Sequence, residues 1–343
     1  VVLNTAQDFS LFGQVVILLL LQIGGVGFIS FSVLLFRLIG RRVTLQTRFI
    51  VQQSVGAGEL SGALNLALYV LGITLSLEAV GAFLLWLRWQ HTMPDGQALW
   101  YAVFHAISSY CNAGFDLFSG TELGVLFGYG ADLYTLTVMG ALILLGGFGI
   151  TIIYDLWSYL WDHSLSLHTR MTLTLTAVLT VLGFALLMLD PFFRNGMAGV
   201  PWHERAATGL FSVVSARTAG LTILPIEQLT EASQLVLMLW MFIGGSPASM
   251  AGGVSSSTVG VLILAVLATA RGHAAAVAFG RTLPDETISK AVAIMTVSTL
   301  LVVAMTLTLA LRGNGPIFAS AFEVVSAFAN AGYSIGATTE LDA

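Results

Sequence analysis

Long apolar runs recur along the chain, separated by short polar turns, and their length calls for helices rather than strands. Full spans are expected over about 11–37, 62–88, 132–160, 168–189, 231–270 and 287–311, because a helix needs about 20 apolar residues to cross a hydrocarbon layer. Three shorter apolar stretches, about 98–111, 203–216 and 317–329, lie between them. Each is too short to span and ends in a small-residue turn, which is the pattern of a re-entrant half-helix. The run 231–270 is itself interrupted. Residues Gly244, Gly245, Ser246, Pro247, Ala248, Ser249, Met250, Ala251, Gly252 and Gly253, followed by Val254-Ser-Ser-Ser257, bring four glycines, a proline and five serines into an apolar helix. Glycine and proline break the hydrogen-bond ladder, so a non-helical loop is expected at mid-membrane.

The three half-helix stretches are copies of one another. Phe104-His-Ala-Ile-Ser-Ser-Tyr-Cys-Asn-Ala-Gly-Phe115 lines up with Phe322-Glu-Val-Val-Ser-Ala-Phe-Ala-Asn-Ala-Gly-Tyr333. Phe211-Ser-Val-Val-Ser-Ala-Arg-Thr-Ala-Gly-Leu221 is a copy one residue shorter. Glycine pairs follow two of them, Gly146-Gly147-Phe148-Gly149 and Gly244-Gly245, and a third, Gly24-Gly25-Val26-Gly27, precedes any visible loop. Such recurrence means one supersecondary unit used several times. Its phase implies four units: 1–50 ends the first, 51–165 is the second, 166–285 the third with its broken helix, and 286–343 begins the fourth. The expected fold is an all-α polytopic membrane protein with four pseudo-symmetric helix–half-helix–helix repeats around a central pore, the first and last truncated. The opening Val1-Val2-Leu3-Asn4 carries neither an initiator methionine nor a basic leader.

Composition agrees with burial in lipid. Hydrophobic residues are 57% of the 343 positions and charged residues only 9%, against roughly 25% charged in a soluble domain. The single cysteine, Cys111, excludes an intrachain disulfide, and a net charge of −5 offers no basic face to nucleic acid. Arg37, Arg41, Arg42, Arg48, Arg170, Arg271, Arg281 and Lys290 are eight of the thirteen basic residues, and they place their turns in the cytoplasm. The half-helices then enter from outside, where Asp8, Asp95, Asp116, Glu122, Asp132, Asp190, Glu204, Glu227 and Glu231 lie. Those acids are either an acidic mouth that gathers cations or ordinary loop charge.

The turns carry the chemistry. A dehydrated cation needs oxygen ligands, and rings of backbone carbonyls supply them without burying a carboxylate. Aiming carbonyls at an axis requires the chain to leave helical geometry, where glycine is tolerated at positive φ. The expected ion-binding residues are Asn112, Ala113 and Gly114, then Thr218, Ala219 and Gly220, then Asn330, Ala331 and Gly332, with potassium held at their carbonyls. The loop Gly244–Gly253 is read as a movable plug below them. Arg217 and Glu323 are expected to pair and brace neighbouring turns, since intramembrane charges are costly and usually partnered. Glu78 is read as an anchor or an ion relay, His105 as a satisfied packing residue, and the glycines at 24, 25, 27, 146, 147 and 149 as helix-crossing positions.

With the turns and the broken helix in hand, the chain resembles the superfamily of potassium transporters, in particular the Ktr-type membrane subunits. Phe12-Gly13-Gln14 leading to Leu21-Gln-Ile-Gly-Gly-Val-Gly-Phe28 looks like an opening M2 helix of that group. Ser108–Phe115, Ala216–Leu221 and Ser326–Tyr333 resemble its second, third and fourth filters, and Gly244–Gly253 its intramembrane loop. The resemblance implies a four-repeat M1–P–M2 protomer that forms a homodimer in the bacterial inner membrane, in contact with membrane lipids. It also implies a cytosolic KtrA-like nucleotide-binding ring as gating partner, nucleotide on that partner alone, and sodium as a modulator beside potassium. The alternative is a sodium- or proton-coupled secondary transporter of Trk or HKT type, for which Glu78 is the one ionisable candidate in the path. No paired acid and base, metal-ligand cluster or nucleophile–histidine spacing points to an enzyme.

Overall fold

The computed structural model describes residues 4–26, 63–119, 132–247, 249–273, 275–312 and 315–336. Among them the regular elements are helices apart from one small hairpin. A single turn of helix, Thr5–Asp8, precedes α1 (Leu11–Val26), α2 (Ala63–Trp89), α3 (Asp95–Tyr110), α4 (Leu133–Asp162) and α5 (Leu167–Met188). Then come α6 (Trp202–Ala216), α7 (Glu231–Phe242), α8 (Ser256–Ala270), the hairpin β1 (Val277–Ala278) and β2 (Arg281–Thr282), α9 (Asp285–Arg312) and α10 (Ile317–Phe328). Among the described residues, Leu71–Trp89, Leu167–Met188 and Asp285–Arg312 are long and apolar enough to cross a membrane, and Leu133–Gly149 with Thr151–Asp162 makes a fourth if the pair is one span. The stretch 27–62, with Gly27, Arg37, Arg41, Arg42 and Arg48, lies outside the described residues, as do Glu122 and Ala248.

The half-helices α3, α6 and α10 form where the short apolar stretches were expected. Each starts directly after a proline in extended conformation: Pro94 (ψ 139°), Pro201 (ψ 146°) and Pro316 (ψ 142°). Proline's missing N–H costs nothing at a helix start, so the same residue type sets the entry of all three copies. The α3 boundary consequently falls at Asp95 rather than near 98. One expected span is corrected: α4 is interrupted at Gly149 (φ 71°, ψ 166°), a conformation that breaks the ladder and that residues with a side chain rarely adopt.

Contacts divide the chain into two compact units, Leu3–Ile153 with Ala248–Met250, and Val1–Val2 with Tyr154–Pro247 and Ala251–Ala343. In the first, α3 packs on α2 around fully buried Leu85, Trp89, Phe104, Leu117, Phe118 and Met139. The Trp89 indole N–H donates to Thr135 Oγ1 (3.3 Å), and Arg88 Nε meets Asp132 Oδ2 at 3.2 Å. Gly146, expected where helices approach closely, abuts the end of α3, where an added methyl would fall on the Tyr110 carbonyl oxygen. In the second unit Leu237, Trp240, Phe322, Val325 and Tyr333 form a core with Leu179, Leu187 and Phe193, and the Trp240 N–H donates to Leu179 O at 2.9 Å. The hairpin seats Ala276, Ala278 and Leu283 against Met171, Val261 and Ala291.

Candidate ion-conducting turns and loop

Each half-helix delivers its chain into a turn of the same kind. Backbone φ is positive at Asn112 (50°) and Gly114 (72°), at Gly220 (67°), and at Asn330 (53°) and Gly332 (78°). The shorter copy has no asparagine, and only its glycine is left-handed. The Ala113 N–H closes on Ser108 O (2.9 Å) and the Ala331 N–H on Ser326 O (2.9 Å), while Ala219 and Gly220 both donate to Ser215 O. Serine hydroxyls strut two of the turns: Ser108 Oγ donates to Phe115 O (2.7 Å) and Ser215 Oγ to Leu221 O (2.9 Å). Among the described residues, the carbonyl oxygens of Asn112, Ala113, Gly114, Thr218, Ala219, Asn330, Ala331 and Gly332 accept no hydrogen bond. A carbonyl oxygen without a donor has its lone pairs available.

The strands that follow the turns are pinned from the half-helices. His105 is fully buried, with Nδ1 2.8 Å from Tyr101 O and Nε2 2.9 Å from Asp116 Oδ1. The Leu117 N–H approaches the same Nε2 at 3.3 Å. Asp116 also accepts from the Phe118 and Ser119 N–H groups and from the Ser119 hydroxyl. In the fourth copy Glu323 occupies the position of His105. It accepts from Ser334 Oγ (2.6 Å) and from the Ile335 N–H (3.0 Å). Two chemically different side chains thus hold the same place in the descending strand, a role sequence reasoning missed although the aligned copies put 105 opposite 323.

The expected Arg217–Glu323 pair does not form. Arg217 Nη2 donates to Gly244 O (2.9 Å) and Ser256 Oγ (3.0 Å), because Arg217 caps the end of α6 and its side chain reaches the loop, while Glu323 is taken up by its own descending strand. The third and fourth turns do touch. A methyl on Gly220 would coincide with the Ala331 carbonyl, and the Tyr333 hydroxyl donates to Ser212 O at 3.2 Å.

Between α7 and α8 the described residues are non-helical, as expected for this stretch. Ile243 and Val254 form a parallel bridge, and Ser255 caps α8. Ser246 Oγ lies 3.1 Å from His168 Nε2 at the start of α5. In the other unit the Met250 N–H donates to Gly146 O at 3.2 Å. Glu78 is buried; Gln22 Nε2 donates to its Oε2 at 2.9 Å and Cys111 Sγ lies 3.7 Å from its Oε1. Of the acids expected on the outer face, Asp116, Asp132 and Asp190 are occupied by internal partners, whereas Asp8, Asp95, Glu227 and Glu231 are exposed. No group of three or more His, Cys, Asp and Glu suited to a metal ion occurs among the described residues.

Comparison with known proteins places this arrangement. A family model described as "TrkH: Cation transport protein" matches residues 1–343. The potassium/sodium uptake protein NtpJ of Enterococcus hirae is 32% identical over 99% of this chain and 75% of its own length. The Ktr system potassium uptake protein B of Bacillus subtilis is 31% identical over 99% of this chain and 76% of its own. The crystal structure of the potassium transporter TrkH from Vibrio parahaemolyticus shares the fold with a TM-score of 0.62, at 18% identity, over 82% of this chain and 60% of that one. The chain belongs to the TrkH family of cation transport proteins and is an integral, multi-pass transporter of the plasma membrane, not an enzyme.

Proposed function

We propose that the chain is the potassium-conducting membrane subunit of a Ktr-type uptake system in the bacterial inner membrane. Potassium sheds water and is held by the peptide oxygens of Asn112–Gly114, Thr218–Gly220 and Asn330–Gly332. One observation carries this: among the described residues the carbonyls of these turns, apart from that of Gly220, which accepts from Thr222 Oγ1, are left without donors, on backbone that passes through positive φ at Asn112, Gly114, Gly220, Asn330 and Gly332. The half-helices add to it, since each ends at its turn and brings a negative dipole end to the ion. The names of the Enterococcus and Bacillus relatives, both uptake proteins for potassium, support the choice of ion. The loop Gly244–Gly253 acts as gate, and a cytosolic KtrA-like ring that binds nucleotide sets its position. The protomer works as a homodimer, with sodium as modulator. The repeats divide at about 50, 165 and 285.

The test is to replace Gly114, Gly220 and Gly332 singly by serine in the complete protein and to measure potassium against sodium influx. Altered discrimination is expected. Unchanged discrimination in all three variants would remove these turns from the conducting path. Deleting 247–251 is expected to raise flux. The secondary-transporter alternative rests on buried Glu78, and a fixed proton or sodium stoichiometry that vanishes in Glu78→Gln would favour it.

A further inference from the structure

The two ends of the intramembrane loop are stitched to each other before any residue of its middle is reached. The Gly244 N–H donates to Val254 O (2.9 Å), the Val254 N–H to Phe242 O (2.9 Å) and the Ser256 N–H to Gly245 O (2.8 Å). Ser256 Oγ lies 2.8 Å from Gly244 O and 3.0 Å from Gly245 O. Into this neck comes a cation, Arg217. Arg217 Nη2 donates to both Gly244 O and Ser256 Oγ, and Ser256 is fully buried. Arg217 immediately precedes Thr218 of the third turn. Within the loop, Gly252 lies against the residue before the fourth turn, for a methyl on it would fall on the Ala329 carbonyl.

Burying a guanidinium is expensive unless its hydrogen bonds are met. Among the described residues no carboxylate pairs with Arg217 and its Nε has no partner. An aliphatic side chain would fill the same space without that cost, so packing alone does not account for an arginine here. Its partners are the carbonyl and hydroxyl oxygens of the neck, in charge-assisted bonds stronger than neutral ones. Its site at the end of α6 is one a positive charge favours.

We propose that Arg217 and Ser256 are positioning residues for the gate. They clamp the neck of the loop to the root of the third turn and hold the loop in its closed position, so that motion is confined to the segment between Gly245 and Val254. The clamp rests on the loop being the gate, and the experiment separates the two. Ser256→Ala and Arg217→Gln, singly and combined, are placed in the full-length protein and in a 247–251 deletion, reconstituted into liposomes without the cytosolic partner. Potassium influx, the potassium-to-sodium ratio and thermal stability are measured for each.

Loss of either residue's side-chain bonds to the neck should raise partner-independent influx by at least about five-fold, with the ion ratio unchanged. The double variant should exceed the larger single effect little, because both residues serve one hub. In the deletion background neither substitution should act. If the deletion raises influx but folded Ser256→Ala matches the parent, the clamp is wrong while the gate stands. If the ion ratio collapses equally with and without the loop, Arg217 serves the third turn directly and the clamp is again wrong. If the deletion leaves influx unaltered, the gate itself fails.

Discussion

At the scale of single residues, the third turn meets the fourth through a backbone contact too close for any side chain. Gly220 is left-handed and also lies against the Ala331 carbonyl, whereas Gly332 is left-handed with open space where a methyl would go. Alanine at 332 therefore meets only the conformational cost, about 1–2 kcal/mol. Alanine at 220 adds a clash that must push the third and fourth turns apart. Gly220→Ala is expected to abolish potassium influx and lower thermal stability, and Gly332→Ala to retain folded protein with reduced influx. Equal stability of the two variants in a thermal scan would contradict the contact. A second expectation concerns Glu323, whose carboxylate holds Ser334 and the Ile335 N–H. Glu323→Gln keeps an acceptor oxygen and should preserve ion discrimination. Glu323→Ala strips both bonds, each worth about 1 kcal/mol, and should degrade it. Discrimination lost to the same degree in both variants would mean that charge, not the strut, matters there. None of this geometry could be seen in the sequence beyond the aligned positions, since a side chain's partner depends on how the strand returns.

At the scale of elements, the half-helices and the broken span were legible because length and composition alone exclude a full crossing. The interruption of α4 was not, because Gly149 sits among glycines that serve equally well in a straight helix. Joints between elements were equally hidden, and Asp190 is the clearest. Its Oδ2 accepts from the Thr230 N–H and hydroxyl and its Oδ1 from the Phe192 N–H, tying the end of α5 to the cap of α7. Burial alone would push its pKa up. Hydrogen bonds from the Ser233 and Thr230 hydroxyls and from the Phe192 and Thr230 N–H groups outweigh it and hold the carboxyl below its ordinary value. A depressed folded-state pKa contributes stability that is fully present above the unfolded value, about 3.9, and is lost as pH falls through the lower folded one. Asp190→Asn should accordingly melt below the parent at pH 7, and the gap should narrow once pH drops under about 4. A gap independent of pH would mean that the joint does not depend on the charge.

At the scale of the whole molecule, the recurring short helix and turn was legible in three aligned glycine segments, and the membrane in a chain 57% hydrophobic. Which faces meet lipid required the structure, because spans hydrophobic all round show no polar stripe to orient them. The contrast between α2 and α9 makes the point. Both are long and apolar enough to cross, yet 28% of the apolar stretch of α2 is buried inside the protein and only 6% of that of α9. Along α9 Val297, Leu300, Leu301 and Val303 stand exposed, with Leu300 midway between Asp285 and Arg312. A lysine at the centre of a lipid-facing span costs about 2.5–3.5 kcal/mol of insertion free energy. Leu300→Lys should therefore reduce the membrane-integrated yield sharply. The same change at Leu311, 87% exposed and one residue from the end of α9, should be nearly silent, because the ammonium reaches the headgroups. Yields that fall alike at the two positions would mean that the hydrocarbon layer is not centred on Leu300.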